Sequence, residues 1–466
     1  MAYRPQIITS TNELTNLTPS VGGRTAVIMG TATWGSINTV TSISSLSNFI
    51  SLFGDDKTGT GVTGIKGADL FLTNGGNLLF VRVEDGTAAK ADYMGQNGST
   101  NVLNFEAKYK GSTGNNITVT VEAISSSRSV IITNGSIVER YTNGTVGYST
   151  NADIATAINS SSQLVVATAQ TNHTITDLVD AFSITQLTGG SDGDSTISQT
   201  HYENAYDAVL SLYEYNFLLI PGYSDNTFQN SFLGRINLKA STEKKYSRYI
   251  SGVSKDETIT TMASRTLTGM RVSLVSPSVK YTHRIDKTSI ILDGSYLACA
   301  YAGMLCSTDL EVSGTHETIT VPGLSVNSST GQEYYSKVEQ EQLLTNRINP
   351  ISLIGNTIQS ARAVTRVSDK TSVYFEEVIV DIVDTVVADV ESYLNSVIGK
   401  PNTAERREIY ASRINAILTI FKNQGIIEEY NDTIVEEGDS PDTIEATVSI
   451  KPTYNTNFIY LTINIS

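Results

Sequence analysis

Apolar residues recur along this chain with two different periods, and the places where the period changes mark out its organisation. Between residues 24 and 84 short apolar runs alternate with helix-spaced ones: "RTAVIMG" and "NLLFVRV" read as buried strands, "SISSLSNFISLFG" and "GIKGADLFLTNGG" as helices. Each helix closes on a glycine, Gly54 and Gly75, the residue that accepts the left-handed turn past a helix C-terminus. Strand and helix in turn predict an α/β layer.

From residue 95 to 195 the pattern changes to short strands such as "NVLNFEA", "NITVTVEAI" and "SVIITNG", broken by Asn-Gly and Gly-Ser turns, with one helix at "NADIATAINSS". Beyond "LTGGSDGD" the first pattern resumes: a helix at "HYENAYDAVLSLYEY", strands at "NFLLIPG" and "RVSLVSP", and a small-residue helix at "SYLACAYAGMLC". The expected fold class is α/β (α+β) and multidomain. A discontinuous α/β core spans 21–94 and 196–345, a β-rich insertion spans 95–195, and a C-terminal α+β domain spans 346–450.

The last third is the most regular. In "YFEEVIVDIVDTVVADVESYLNSVIG" the residues Val378, Ile379, Ile382, Val383, Val386, Val390, Tyr393 and Val397 keep one helical face, and at about 100° per residue Glu377, Asp381, Asp384 and Glu391 fall on the opposite one. Asn402 with Glu405 three residues on has the form of a capping box, and Tyr410, Ile414, Ile417 and Phe421 carry a second amphipathic helix to Gly425. Strands "IIEEYNDTIV" and "TIEATVSIK" follow, and the chain closes on "NTNFIYLTINIS", where Ile459, Leu461, Ile463 and Ile465 alternate with Phe458, Tyr460, Thr462 and Asn464. Residues 451–466 are thus expected to be a terminal strand with no following partner, and such an edge invites pairing with another chain. Residues 1–20 hold a second candidate arm, "YRPQIIT" with Ile7 and Ile8, where Pro5 fits only at an edge.

Charge and composition narrow the function classes. With 466 residues and a net charge of −15, the chain repels a phosphate backbone, which excludes nucleic acid as the expected partner. No run of about 18 apolar residues suggests a membrane span, and "MAYRPQIITSTNELTNL" lacks the apolar core of an export signal. Cys299 and Cys306 read as buried thiols, and the histidines at 173, 201, 283 and 316 lack metal-ligand spacing, so no metal or cofactor is expected. "GGSDG" matches the G-x-S-x-G elbow of serine hydrolases, but more loop follows Ser191 where a helix would be needed, so it reads as a connector. The acidic run Glu428, Glu429, Asp432, Glu436, Glu437, Asp439, Asp442 and Glu445 suits a basic partner surface.

The order of these segments resembles the contractile tail sheath proteins of bacteriophages, tailocins and related injection systems. The resemblance is carried by "FGDD", "ADLFLTNGGNLLFVRV", "AKYKGSTGNNITVTV", "LTGGSDG", "YDAVLSLYEYNFLLIPG", "LLTNRINPI", "AVTRVSD" and the C-terminal helix pair with its strands. It implies a structural subunit and no enzyme: a helical homopolymer of stacked rings around a tail tube, contracting to drive the tube through a cell envelope, with baseplate and tail terminator proteins as further partners. It implies a place in the virion tail after synthesis in the host cytoplasm, and an insertion on the outer surface. It also implies that the arms, Ile7, Ile8, Phe458, Ile459, Tyr460, Leu461, Ile463 and Ile465 among them, add strands to neighbouring subunits, and that the extended state is held by contacts to the tube, to which the acidic helical face of Glu377, Asp381, Asp384 and Glu391 is assigned as an expectation. The competing reading is a β-rich surface or adhesin-type structural protein, which the Ser/Thr/Asn-rich insertion alone would suit.

Overall fold

Strand β1 (Thr25–Gly30) is apolar on both faces because both are covered: Ala26 and Ile28 enter one cluster of side chains, Val27 and Met29 another. The computed structural model that shows this describes residues 23–56, 62–171, 177–211 and 213–457. They fall into two units, one of residues 24–308 and 314–377, the other of residues 23, 309–313 and 378–457. After β1 come β2 (Thr41–Ile43), α1 (Leu46–Phe53), α2 (Gly64–Asn74) and β3 (Asn77–Arg82). The Ser45 hydroxyl caps α1 by accepting from the Asn48 N–H at 3.1 Å, and Gly54 and Gly75 stand just past the two helices at φ 79° and 97°.

The insertion is antiparallel throughout. Its strands are β4 (Asp92–Asn97), β5 (Thr100–Ala107), β6 (Thr118–Ile124), β7 (Ser127–Asn134), β8 (Ile137–Tyr141), β9 (Val165–Ala169) and β10 (Phe182–Gln186), with α3 (Asn151–Ser161) before β9. They make two sheets, β4-β5-β9 and β10-β6-β7-β8. Inward residues such as Phe105, Val119, Val121, Val130, Ile132, Ile154 and Ile158 form a core of their own, while the alternate positions Thr118 and Thr120 stay half-exposed.

The chain then returns to the first layer through α4 (Gln199–Ala205), which widens into a π turn at Tyr206–Leu210, and β11 (Phe217–Leu219). There follow α5 (Asn226–Thr242), β12 (Arg248–Gly252), α6 (Ile259–Ala263), β13 (Val272–Ser276), β14 (Ser278–Thr282), β15 (Ser289–Leu292), α7 (Gly294–Ser307), β16 (Gly323–Ser325), α8 (Lys337–Thr345), β17 (Asn349–Ile354) and β18 (Thr357–Ser360). The main sheet has the order β18-β17-β13-β12-β11-β1-β3-β2, parallel from β17 to β3 and antiparallel at each end. One face carries Phe49, Phe71 and α7, buried from Gly294 to Cys306; the other carries Tyr202, Phe228, Met262 and Leu343. A Cβ at Gly303 would run into the Phe71 carbonyl, so the small residues of α7 are what let it lie against α2.

Two boundaries differ from the sequence reading. The insertion's first strand begins at Asp92, and the bridges Ala89–Ser191 and Asp92–Thr188 extend its stem further. Residues 346–377, expected with the C-terminal domain, belong to the core unit, because β17 extends the main sheet through Val275–Asn349 and Ser276–Pro350. The "TRVSD" arginine secures that segment: Arg366, 1% exposed, donates to the carbonyls of Leu267 (2.9 Å), Arg265 (3.2 Å) and Asn346. The C-terminal unit is built on α9 (Glu377–Val397) and α10 (Ala404–Asn423), followed by β19 (Ile427–Tyr430), β20 (Ile434–Glu437), β21 (Ile444–Thr447) and β22 (Ile450–Pro452).

Core and insertion are joined around one buried cation. Arg82, at the end of β3 and fully buried, donates to the carbonyls of Gly35 (3.0 Å), Lys110 (2.7 Å) and Asp192 (3.1 Å), so one side chain holds the core and both crossings of the insertion stem. Burial pulls its guanidinium down to about 10, still protonated at neutral pH. Asp192 accepts from the Ser112 N–H (2.6 Å) and hydroxyl (2.9 Å), and Asn115 and Gly190 exchange bonds of 2.9 and 2.8 Å. Gly111, at φ 135°, is required because a Cβ would collide with the Thr33 carbonyl. The motifs "KGSTGNN" and "GGSDG" are therefore the two sides of this joint.

Arg82→Leu leaves three buried carbonyls without their donor, an expected cost of roughly 3 kcal/mol or more. Urea denaturation checks the loss, and hydrogen exchange locates it. Exchange should accelerate first at residues 110–113 and 190–193, and uniform acceleration over the chain would contradict the joint. A second prediction concerns Asp389 on α9, whose carboxyl is pushed from 3.8 to about 6 by desolvation. A raised folded value means stability present at low pH is lost as pH rises through 6. Asp389→Asn should raise the melting temperature above that pH and leave it unchanged below pH 3.8, as thermal melts on both sides will show.

Candidate functional site

Among the described residues the strands of the C-terminal unit pair only two by two. Tyr410, Ile414, Ile417, Leu418 and Phe421 bury one face of α10, and Tyr393 of α9 meets Tyr410 edge to face at 6.5 Å. Thr403, not Asn402, caps α10, accepting from the Arg406 N–H at 3.4 Å. Asn402 is drawn away by the turn between β20 and β21: it donates to the carbonyls of Pro441 (3.0 Å) and Thr443 (3.1 Å) and accepts from Arg407 at 2.7 Å. Arg407 lies 3.4 Å from Glu437, and Asn415 accepts from the Thr433 N–H at 2.9 Å. One helix thus holds this ribbon at both ends.

Strands β19 and β22 pair antiparallel through Ile427–Pro452, Glu429–Lys451 and Tyr430–Ile450; β20 and β21 pair through Ile434–Thr447, Val435–Ala446, Glu436–Glu445 and Glu437–Ile444. Among the described residues neither pair has a third strand. Every strand of a two-stranded ribbon is an edge with an outward row of N–H and C=O groups, and such ribbons are marginal in water. Glu436 and Glu445 stand directly opposite, a like-charge pair that weakens the second ribbon further. Past β22 the chain is still hooked: the Thr453 N–H donates to Ile426 (3.2 Å), its hydroxyl to Gly425 (2.6 Å), and Asn455 to the Glu311 carbonyl (3.0 Å).

The residues singled out from sequence separate into three groups. Ile7, Ile8, Phe458, Ile459, Tyr460, Leu461, Ile463 and Ile465 lie outside the described residues. Glu377 is 1% exposed inside the core unit, 3.3 Å from Arg248 and accepting from the Tyr301 hydroxyl at 3.0 Å. It is an internal ion-pair partner and not a surface contact, since helical period reports which residues share a face and not what that face meets. Asp381 is also buried, while Asp384 and Glu391 are half-buried. The exposed acids are instead the later ones: Glu428, Glu429, Asp432, Glu436, Glu437, Asp439, Asp442 and Glu445. Arg82, Arg248 and Arg366 escaped the sequence reading; the available signal was an arginine set inside or closing an apolar run.

The positions where chemistry was conceivable are occupied by structural contacts. Ser191 is exposed and its backbone pairs with Ala89, while His201 bonds its own helix cap Ser198 at 3.0 Å. His283 is held between Asp286 (2.7 Å) and the Asp56 carbonyl (3.0 Å). In open parallel sheets ligands favour the crevice where strand order reverses, here between the ends of β1 and β11. That crevice is filled: Thr31 and Thr63 exchange bonds of 3.1 and 3.0 Å, the Gly222 N–H donates to Ser295 at 2.8 Å, and Tyr202 and Tyr296 are buried beside them. Among the described residues no helix is long and apolar enough to cross a membrane, and no group of acids, histidines and cysteines has the arrangement of a metal site.

Comparison with known proteins agrees with this architecture. Residues 369–466 match the family model of the phage tail sheath C-terminal domain. A search of curated proteins finds no match. Among solved structures, the sheath tail protein of Listeria innocua is similar at 17% identity over 92% of each chain, with a TM-score of 0.70. The sheath tail protein of Desulfitobacterium hafniense is similar at 14% identity over 95% of this chain and 100% of that one, TM-score 0.67. The helical sheath of the anti-feeding prophage in its contracted state covers 100% of this chain and 99% of its own, at 12% identity and a TM-score of 0.56. The chain therefore has the fold of tail sheath proteins over nearly its whole length, and its last segment matches their C-terminal domain.

Proposed function

We propose that this chain is the structural subunit of a contractile sheath, polymerising helically around an inner tube and contracting to drive that tube through a target envelope. The observation that carries the reading is the C-terminal unit itself, whose described residues form two two-stranded ribbons, in a chain with Ile459, Leu461, Ile463 and Ile465 at every second position. An added strand satisfies an open edge through main-chain hydrogen bonds, with alternate side chains giving register. Donation from head to tail does not close as a dimer and so propagates into rings and helices. Each subunit gives and receives, which makes the array multivalent although one strand binds modestly. Contraction then needs no catalytic group: rigid units change their packing while the arms keep neighbours linked. A β-rich adhesin would leave the α/β core and its likeness to sheath proteins without explanation.

The assembly reading extends to a tube, a baseplate and a terminator as partners. Of the acids first assigned to the tube contact, Asp384 and Glu391 remain candidates because they keep part of their surface, and the exposed acids of β19–β21 suit a basic partner.

Deleting Phe458–Ser466 retains the Thr453 and Asn455 hooks, so the subunit should fold with an unchanged melting temperature yet fail to sediment as tubes. Normal tubes from that truncation would remove strand donation from the account. Asp384→Lys with Glu391→Lys should reduce co-sedimentation with the tube at low salt by about tenfold while self-assembly survives, the size expected of one to two charge pairs. Undiminished decoration would shift the contact elsewhere.

A further inference from the structure

We infer that Asn143–Gly144, in the exposed turn after β8 of the insertion, is a site of spontaneous succinimide formation and deamidation in the folded protein, and that the fold shields the other Asn-Gly pairs to graded extents. Four Asn-Gly dipeptides occur, at Asn74, Asn97, Asn134 and Asn143, with the same local chemistry. In each the glycine nitrogen can attack the asparagine Cγ, forming a C–N bond and releasing ammonia. Water then opens the five-membered imide at either carbonyl, giving aspartate or isoaspartate. The step needs a free carboxamide, a glycine N–H that can lose its proton, and a backbone able to close the ring.

The structure removes these freedoms at two of the four. The Asn74 carboxamide donates to the Leu70 (2.9 Å) and Thr320 (3.0 Å) carbonyls and accepts from the Thr320 N–H (2.7 Å), while the Gly75 N–H is given to Leu72 at 3.2 Å. Asn97 donates to the Leu178 carbonyl at 2.7 Å, and the Gly98 N–H donates to the Asp180 carboxylate at 2.7 Å, which keeps that nitrogen protonated. At both positions leaving group and nucleophile are each engaged. Asn134 is half-buried and its backbone is fixed in β7 by pairing with Ile137, which restrains ring closure without occupying the carboxamide.

Asn143 has none of these restraints. It is exposed in an exposed run from Thr142 to Val146, and among the described residues neither its carboxamide nor the Gly144 N–H has a hydrogen-bond partner. Its carbonyl accepts the turn bond from the Val146 N–H at 3.2 Å, and the Thr142 hydroxyl donates to the Gly144 carbonyl at 3.1 Å, bonds that leave the carboxamide and the Gly144 N–H unengaged among the described residues. Gly144 sits at φ 58° in open space, so an added carboxylate or the longer isoaspartyl backbone meets no neighbour. The product is a subunit one negative charge beyond −15 that folds as before.

The test is peptide mapping by mass spectrometry of the purified full-length chain, held folded or unfolded in urea in mildly alkaline buffer. Folded protein should gain about one dalton first at Asn143, more slowly at Asn134, and not detectably at Asn74 or Asn97. In urea all four should react at similar rates. The melting temperature of aged folded protein should be unchanged, and Asn143→Gln should abolish the first modification. Reaction at Asn74 or Asn97 as fast as at Asn143 in folded protein would overturn the inference, as would an inert Asn143. These readouts are independent of sheath assembly, so they separate this proposal from the functional one.

Discussion

A β-strand edge exposes backbone donors and acceptors that water satisfies poorly once apolar side chains crowd them, and the C-terminal unit has two such ribbons. Helix α10 supports them locally, through Asn402 and Arg407 at one turn and Asn415 at the other end. It does not supply a third strand. The rest of the molecule makes sense as the body that carries these edges: a large, well-buried α/β unit, a separate acidic C-terminal unit, and a terminal segment with the alternation of a strand.

The larger unit achieves its integrity with buried arginines as well as apolar packing. Arg82 gathers three carbonyls from core and insertion, Arg366 gathers three around the segment before α9, and Arg248 meets Glu377 and Ser273 beneath the Phe217 ring. A buried cation is costly unless its donors are used, so each arginine tolerates only the arrangement that supplies those partners. This ties distant segments at specific points, where apolar contacts alone would permit sliding. Units tied in this way shift between discrete arrangements instead of yielding gradually.

Much of the fold could be read from the chain because its signals are local. Helices α1, α2, α3, α7, α9 and α10 combine period with caps or small residues, and the antiparallel insertion alternates visibly between Asn-Gly turns. What escaped was long-range. "ISLIG" is a short apolar run that reads the same in either domain, and only its pairing with β13 assigns it to the core. Asn402 and Thr403 are both acceptable caps, and the choice was made by a turn almost forty residues away. Glu377 shares a helical face with Asp384 and Glu391, but it belongs to the core unit, where it meets Arg248 and Tyr301, while the other two belong to the C-terminal unit. The arm residues Ile7, Ile8 and Phe458 to Ile465 were legible only as a pattern, and they lie outside the described residues.

The most direct test is a reconstruction of the assembled protein by electron microscopy at a resolution that traces residues 458–466. Tubes should form in which that segment hydrogen-bonds along an edge of the β19–β22 or β20–β21 ribbon of an adjacent copy. Finding it paired within its own subunit in the assembled tube would rule out strand donation between copies.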